Sequence, residues 1–192
     1  MASNSENLKA VEMNTTALTN DYYHPLEYHW NLWVFTNDKE DWEENLVCAA
    51  DFGTVEDFWS IIHHIKRPSE MKSGQDYLMF KKGIQPKWEH PANKNGGRWI
   101  INVEKKNLSR LDEVWLLLLL LMIGENLPHG DIICGAVVNI RSKCKIGLWL
   151  GDGANQKKVR EIGRVLKDNI ESHNIGRINF HLHMKNVNMI TM

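Results

Sequence analysis

Three observations predict an α+β fold built on a mainly antiparallel sheet. Short stretches rich in aromatic and β-branched residues recur along the chain. Amphipathic helical patterns separate some of them, and several links are of hairpin length. The 192 residues, 43% of them apolar, suit one domain with a sizeable core. The longest apolar run, Val114–Ile123, has ten residues, far short of the ~20 that span a bilayer. The N-terminus has no basic segment leading into an apolar block, which argues against a secretory signal. Cys48, Cys134 and Cys144 are odd in number and lack metal spacing, so reduced thiols in the cytosol or nucleus are expected.

Residues 1–23 are polar and without periodicity, and are read as a disordered segment ahead of a domain over residues 24–192. Glu27–Phe35 reads as a strand by its aromatic content, Asn37–Asn45 as an acidic loop carrying Trp42, and Leu46–Phe52 as a second strand. Thr54 is placed to cap a helix with acids in its first turn, running to about Ile65 and stopping before Pro68. That helix carries two apolar stripes. Phe58, Ile61 and Ile65 can face the core, while Val55, Trp59 and Ile62 lie about 100° around. The second stripe is by default also core; left over, it is a docking ridge for a partner helix.

Tyr77–Phe80 and Trp99–Val103 are further strands, separated by the polar loop KKGIQPKWEHPANKNGG. Ser109 opens a second helix that runs through about Ile123, apolar on all sides over six consecutive leucines. Ile132–Ile140 and Lys145–Leu150 are strands. Gln156–Ile170 is a third helix with Val159, Ile162, Leu166 and Ile170 inward, Arg177–His183 is a last strand, and the final nine residues carry no clear pattern.

Net charge is −1, which excludes a bulk polyanion binder. The charge is nonetheless uneven: residues 141–192 hold ten Lys/Arg against four Asp/Glu. A local basic patch able to hold a few phosphates is compatible with this, although solvated helix surface accounts for most of the surplus. Eight tryptophans exceed what a core of this size needs, so some are expected to be working surfaces. Trp88-Glu89 is the most suggestive pair. An indole stacks on a flat cation, and a neighbouring carboxylate accepts from two adjacent donors, as on the edge of an N7-methylated guanine. By spacing alone, a tryptophan covering the sheet on a surface loop is the stronger reading. Arg141, Lys143 and Lys145 alternate along an extended segment and could hold phosphates; a solvated strand end explains them equally well. The histidine clusters, His63-His64 and His181-x-His183, do not assemble a metal site, and no catalytic fingerprint is present.

Taken in order, HPLEYHWNLWVF, NDKEDWEENL, TVEDFW, GIQPKWEHPANKNGGRW, MIGE, CGAVVNIR, KIGLW and IGRV resemble the cap-binding translation initiation factor 4E family over about His24–His183. The resemblance implies a curved sheet with three helices on its convex face and a cap slot on the concave one. It implies a binding protein, not an enzyme, with no cofactor. Trp42 and Trp88 would sandwich the 7-methylguanosine of capped mRNA, Glu89 would read its edge, and Trp149 would lie against the methyl group. Arg141 and Lys145 would bind the triphosphate, with Arg98 in support. His24, Pro25, Leu26, Val55, Trp59, Leu116, Leu117 and Gly124 would dock the short helix shared by the scaffold initiation factor 4G and the 4E-binding repressors. A cytoplasmic or nuclear protein, with no membrane partner and monomeric outside its complex, follows.

Three departures from the family pattern stand out. Leu117 replaces a glutamate on the dorsal helix, the loop at Lys143–Lys145 is one residue short, and the segment after His183 is short and lacks serine. They leave two expectations open: a factor that recruits the scaffold to start translation, or a cap-binding repressor or tissue-restricted paralogue with weakened scaffold binding.

Overall fold

The computed structural model describes residues 23–104, 107–173, 175–183 and 188–192. Apart from Tyr23, the expected disordered segment lies outside them. Among the described residues eight strands form one sheet: β1 (Pro25–Phe35), β2 (Leu46–Thr54), β3 (Asp76–Lys81), β4 (Gly97–Val103), β5 (Ile133–Asn139), β6 (Cys144–Leu150), β7 (Asn179–Leu182) and β8 (Asn188–Thr191). Their order across the sheet is β2-β1-β3-β5-β6-β4-β7-β8. Every pairing is antiparallel, so the sheet is antiparallel throughout rather than mainly so. Helices α1 (Val55–His64), α2 (Leu108–Ile123) and α3 (Gln156–Ile170) cover the convex face.

The alternation of side chains along a strand divides the apolar residues between the two faces. In β3, Tyr77 and Met79 join the main core beneath the helices, while Leu78 and Phe80 join a smaller apolar cluster on the opposite face. β5 and β6 divide in the same way: Ala136, Val138, Leu148 and Leu150 point to the helices, Val137 and Trp149 away from them. The concave face therefore has an apolar floor of its own.

The helices form where the caps and periodicity place them. Thr54 Oγ1 accepts from the Asp57 amide at 3.1 Å, and Asn155 Oδ1 accepts from Lys158 N at 3.2 Å. The inner face of α3, Val159, Ile162, Leu166 and Ile170, is fully buried, each side chain contributing on the order of 1.5–3 kcal/mol. On α1 only Phe58 is fully buried. Ile61 and Ile65 remain half-buried like Val55, Trp59 and Ile62 of the other stripe, because the helix lies at the β2 edge of the sheet with fewer neighbours.

One expectation is corrected. Arg141–Lys143 is not a strand but the bend joining β5 to β6, so turn geometry, not alternation, sets its side chains. Within the C-terminal stretch that the sequence left unassigned, Asn188–Thr191 form β8, which pairs with β7, and Met192 and Ile178 exchange backbone hydrogen bonds of 2.9 and 2.7 Å.

α3 approaches the sheet closely at Gly163, where an added Cβ would lie 2.2 Å from Cζ2 of Trp99. The Trp99 indole N–H donates to Val159 O at 3.1 Å, so the ring has little freedom to yield. Gly163→Ala is expected to destabilise the fold by about 1–3 kcal/mol through overpacking, measurable by urea denaturation.

Candidate functional site

The concave face carries a cavity of about 1300 Å³. All seven residues singled out for ligand recognition, Trp42, Trp88, Glu89, Arg98, Arg141, Lys145 and Trp149, line it. The eight tryptophans sort cleanly. Trp30, Trp99, Trp115 and Trp149 are buried, Trp33 and Trp59 are half-buried, and Trp42 and Trp88 are 44% and 51% exposed. An indole held in water without a partner is an apolar surface in need of one.

Each exposed indole sits on a loop pinned by a buried asparagine. In the β1–β2 link, Asn45 Oδ1 accepts from the amides of Asp38 and Lys39 at 2.7 and 2.9 Å, and Nδ2 donates to the carbonyls of Lys39 and Asp41 at 2.8 and 2.6 Å. Asn45 closes the 3-10 turn Glu43–Asn45 that directly follows Trp42, and the Trp42 ring leans on Phe35 at 5.8 Å. In the β3–β4 link, Asn93 Nδ2 donates to Gln85 O and Lys87 O at 2.9 and 2.7 Å, bracketing the approach to Trp88. Gly96 seats that loop on β6: a Cβ there would lie 1.8 Å from Leu150 O. Both asparagines escaped the sequence reading. Their only signal was a turn-forming residue type in a loop, shared by many others.

The charges in the cavity differ in how they are committed. Among the described residues Glu89 makes no hydrogen bond or ion pair and is exposed. Lys145, at the start of β6 opposite Asn139, is likewise unpaired among the described residues. Arg141 is held by Asp76, which accepts from Nη1 at 2.7 Å and Nη2 at 3.1 Å; Nη1 also reaches Ile140 O and Gln75 O. Nε–H and the second Nη2 hydrogen are left for a ligand. Asp76 is buried, which raises its carboxyl pKa, with Arg141 pulling the other way. Nothing in the sequence links an acid at position 76 to an arginine 65 residues on.

Arg98 lies on β4 between two cross-strand neighbours, Trp149 on β6 and His181 on β7. Its guanidinium carbon is 5.8 Å from the Trp149 ring, and burial lowers its pKa. His183, also at the cavity wall, packs on Trp149 with ring centroids 4.1 Å apart and the planes tilted by 40°. The two halves of the His181-x-His183 cluster thus have different neighbours, Arg98 across the strands for His181 and Trp149 for His183.

On the convex side, Val55 N donates to His24 O at 2.9 Å, and Glu56 accepts from the His24 amide and meets its ring. Pro25 pairs across to Thr54, joining the start of β1 to the start of α1. Leu26, Trp59, Leu116 and Leu117 pack partly buried on the main core, and Gly124 ends α2. Trp59 stacks on His63 at 5.6 Å, which accounts for one half of the His63-His64 pair.

Comparison with known proteins fits this arrangement of slot and helices. The sequence pattern of the family described as Eukaryotic initiation factor 4E matches residues 25–191. The chain belongs to the initiation factor 4E family. It is 48% identical to Eukaryotic translation initiation factor 4E1 of Drosophila melanogaster over 164 residues, 84% of this chain and 63% of that protein. Ascaris suum eIF4E-3, solved in complex with an m7G cap, superposes with a TM-score of 0.83 at 40% identity, covering 88% of this chain and 98% of that one. C. elegans eIF4E-3, solved with the 4E-binding protein Mextli, gives 0.84 at 36%, covering 88% and 99%. Among the described residues no helix is long and apolar enough to cross a membrane.

His183 provides a pH test of the slot wall. Burial, with Arg98 adding, holds its pKa down at about 4, against an ordinary 6.5. The unfolded chain therefore binds a proton that the folded one refuses between these values. The stabilising effect is complete above pH 6.5 and is lost as pH falls toward 4. The stability of the wild type minus that of His183→Gln should be flat above pH 6.5 and decline below it, as read from denaturant unfolding at a series of pH values.

Proposed function

We propose that this chain binds the 7-methylguanosine cap of mRNA in the concave slot and engages a scaffold protein on its convex face to start translation. The observation that carries this is the pairing of two exposed, loop-pinned indoles with an uncommitted carboxylate beside one of them, in a cavity whose other end is cationic. N7-methylation makes guanine a cation. Stacking between Trp42 and Trp88 then contributes up to about 2 kcal/mol per indole once water is excluded. Glu89 accepts from N1–H and the N2 amino group, a pairing that needs a free carboxylate. Trp149, stiffened by His183, meets the methyl group. Arg141 and Lys145 take the triphosphate, with Arg98 behind them. The cap complex of the Ascaris relative and the Mextli complex of the C. elegans relative support the two faces of this reading. The protein acts as a binding module and does no chemistry on the cap. The cytoplasm is its proposed location.

Trp88→Ala and Glu89→Ala should each weaken binding of a methylated cap analogue by about tenfold or more, seen as loss of retention on cap-analogue resin. Undiminished retention of both would exclude the slot assignment. In fluorescence titration the methylated cap dinucleotide should quench tryptophan at far lower concentration than unmethylated guanosine triphosphate.

A second reading, a cap-binding repressor, is favoured by one observation. Leu117 lies partly buried on α2, beside Leu116 on the proposed docking face, where the resemblance places a glutamate. A carboxylate there would supply an acceptor to a partner helix; leucine supplies only apolar area. If this reading holds, Leu117→Glu markedly strengthens scaffold-peptide binding in calorimetry. Equal affinities for the two proteins would remove it.

A further inference from the structure

The two loops that carry the exposed indoles are each internally pinned, but little joins one to the other. No backbone hydrogen bond crosses between residues 36–45 and 82–96 among the described residues. Among the described residues, the single hydrogen-bonded link is an ion pair, Lys87 Nζ to Glu43 Oε1. Glu43 directly follows Trp42, and Lys87 directly precedes Trp88. Both line the cavity. Lys87 Nζ also lies over the Trp42 ring, 5.8 Å from its centroid, so the side chain of one loop touches both the acid and the indole of the other. Lys87 is the better buried partner, at 25% side-chain exposure against 70% for Glu43.

We propose that Glu43 and Lys87 are positioning residues for cap recognition, forming a clasp across the slot that fixes the spacing of Trp42 and Trp88 before the ligand arrives. Asn45 and Asn93 make each loop rigid, and the ion pair sets one rigid loop against the other. A sandwich contributes fully only when both rings stand at stacking distance from the base together. A slot already open to that width binds without spending affinity on ordering. The ammonium, 5.8 Å from the Trp42 ring centroid, adds a weak cation–π attraction between the same two loops. The inference rests on the cap-binding reading for its ligand, though not for the clasp itself.

The test compares Lys87→Met, Glu43→Gln and the exchanged double variant Glu43→Lys/Lys87→Glu with the wild type. With 7-methylguanosine triphosphate as probe and tryptophan quenching as readout, each single variant should raise Kd by about two- to fivefold, the scale of an exposed ion pair. The exchange should recover to within about twofold, and the single-variant losses should shrink at high salt. A thermodynamic cycle with no coupling between the two positions overturns the proposal. A second measurement needs no ligand: side-chain 15N relaxation of the indole N–H groups. Lys87→Met should increase the motion of Trp42 and Trp88 while leaving Trp99 and Trp115 unchanged; identical relaxation overturns the clasp. If the wild type itself does not bind the probe, the cap reading falls, and the relaxation experiment alone decides the clasp.

Discussion

Two exposed indoles beside an apolar floor will close on each other, or onto that floor, unless something holds them back. The structure depends on that restraint. Burying either ring would remove apolar surface from water, and each loop withstands the tendency because an asparagine inside it satisfies backbone groups that have no sheet or helix partner. Moving Trp42 inward would strip Asn45 of its bonds to Asp38, Lys39 and Asp41. Moving the Trp88 loop would strip Asn93 of Gln85 and Lys87, and would carry Gly96 away from a contact with Leu150 that only glycine allows. The open slot is thus maintained by polar satisfaction in the loops against an apolar tendency to close.

The charges follow the same logic of prior commitment. Arg141 is clamped by a buried acid, so its direction is set, and only part of its donor capacity remains for phosphate oxygens. Arg98 is set between Trp149 and His181 by strand register. Glu89 and Lys145, in contrast, are unpaired among the described residues. The two arginines of the cavity are thus aimed in advance, while Glu89 and Lys145 are uncommitted. His183, kept neutral by its burial, packs on the Trp149 wall without adding charge to the cavity.

Much of this was legible in the sequence, for identifiable reasons. Periodicity gave α3 to the residue, since Val159, Ile162, Leu166 and Ile170 mark one face with no competing pattern. Thr54 announced α1 because a cap is a local interaction. Trp88-Glu89 stood out as a chemically odd pair but stayed ambiguous until Trp42 and the basic residues joined it through the resemblance. What could not be read is what depends on distance along the chain. Asp76 meets Arg141 through the pairing of β3 with β5, and Glu43 meets Lys87 across two loops more than forty residues apart. The alternation expected for Arg141–Lys145 failed because a bend occupies its first three residues, and composition alone does not separate a bend from a strand end.

The order of strands has a consequence for how the molecule comes into being. β3 and β4 adjoin in sequence but lie apart in the sheet, with β5 and β6 between them. The Trp88 loop therefore spans a gap whose filling is made later in the chain, from Ile133 to Leu150. Pairings of such sequence separation form slowly, since the entropy of closing the chain is lost before the contacts compensate. During synthesis the two indoles emerge long before the floor between them exists. The slot is thus a late-acquired feature of the chain: fragments ending ahead of β6 hold Trp42, Trp88 and Glu89, yet lack the strand that brings Lys145 and Trp149 to the cavity.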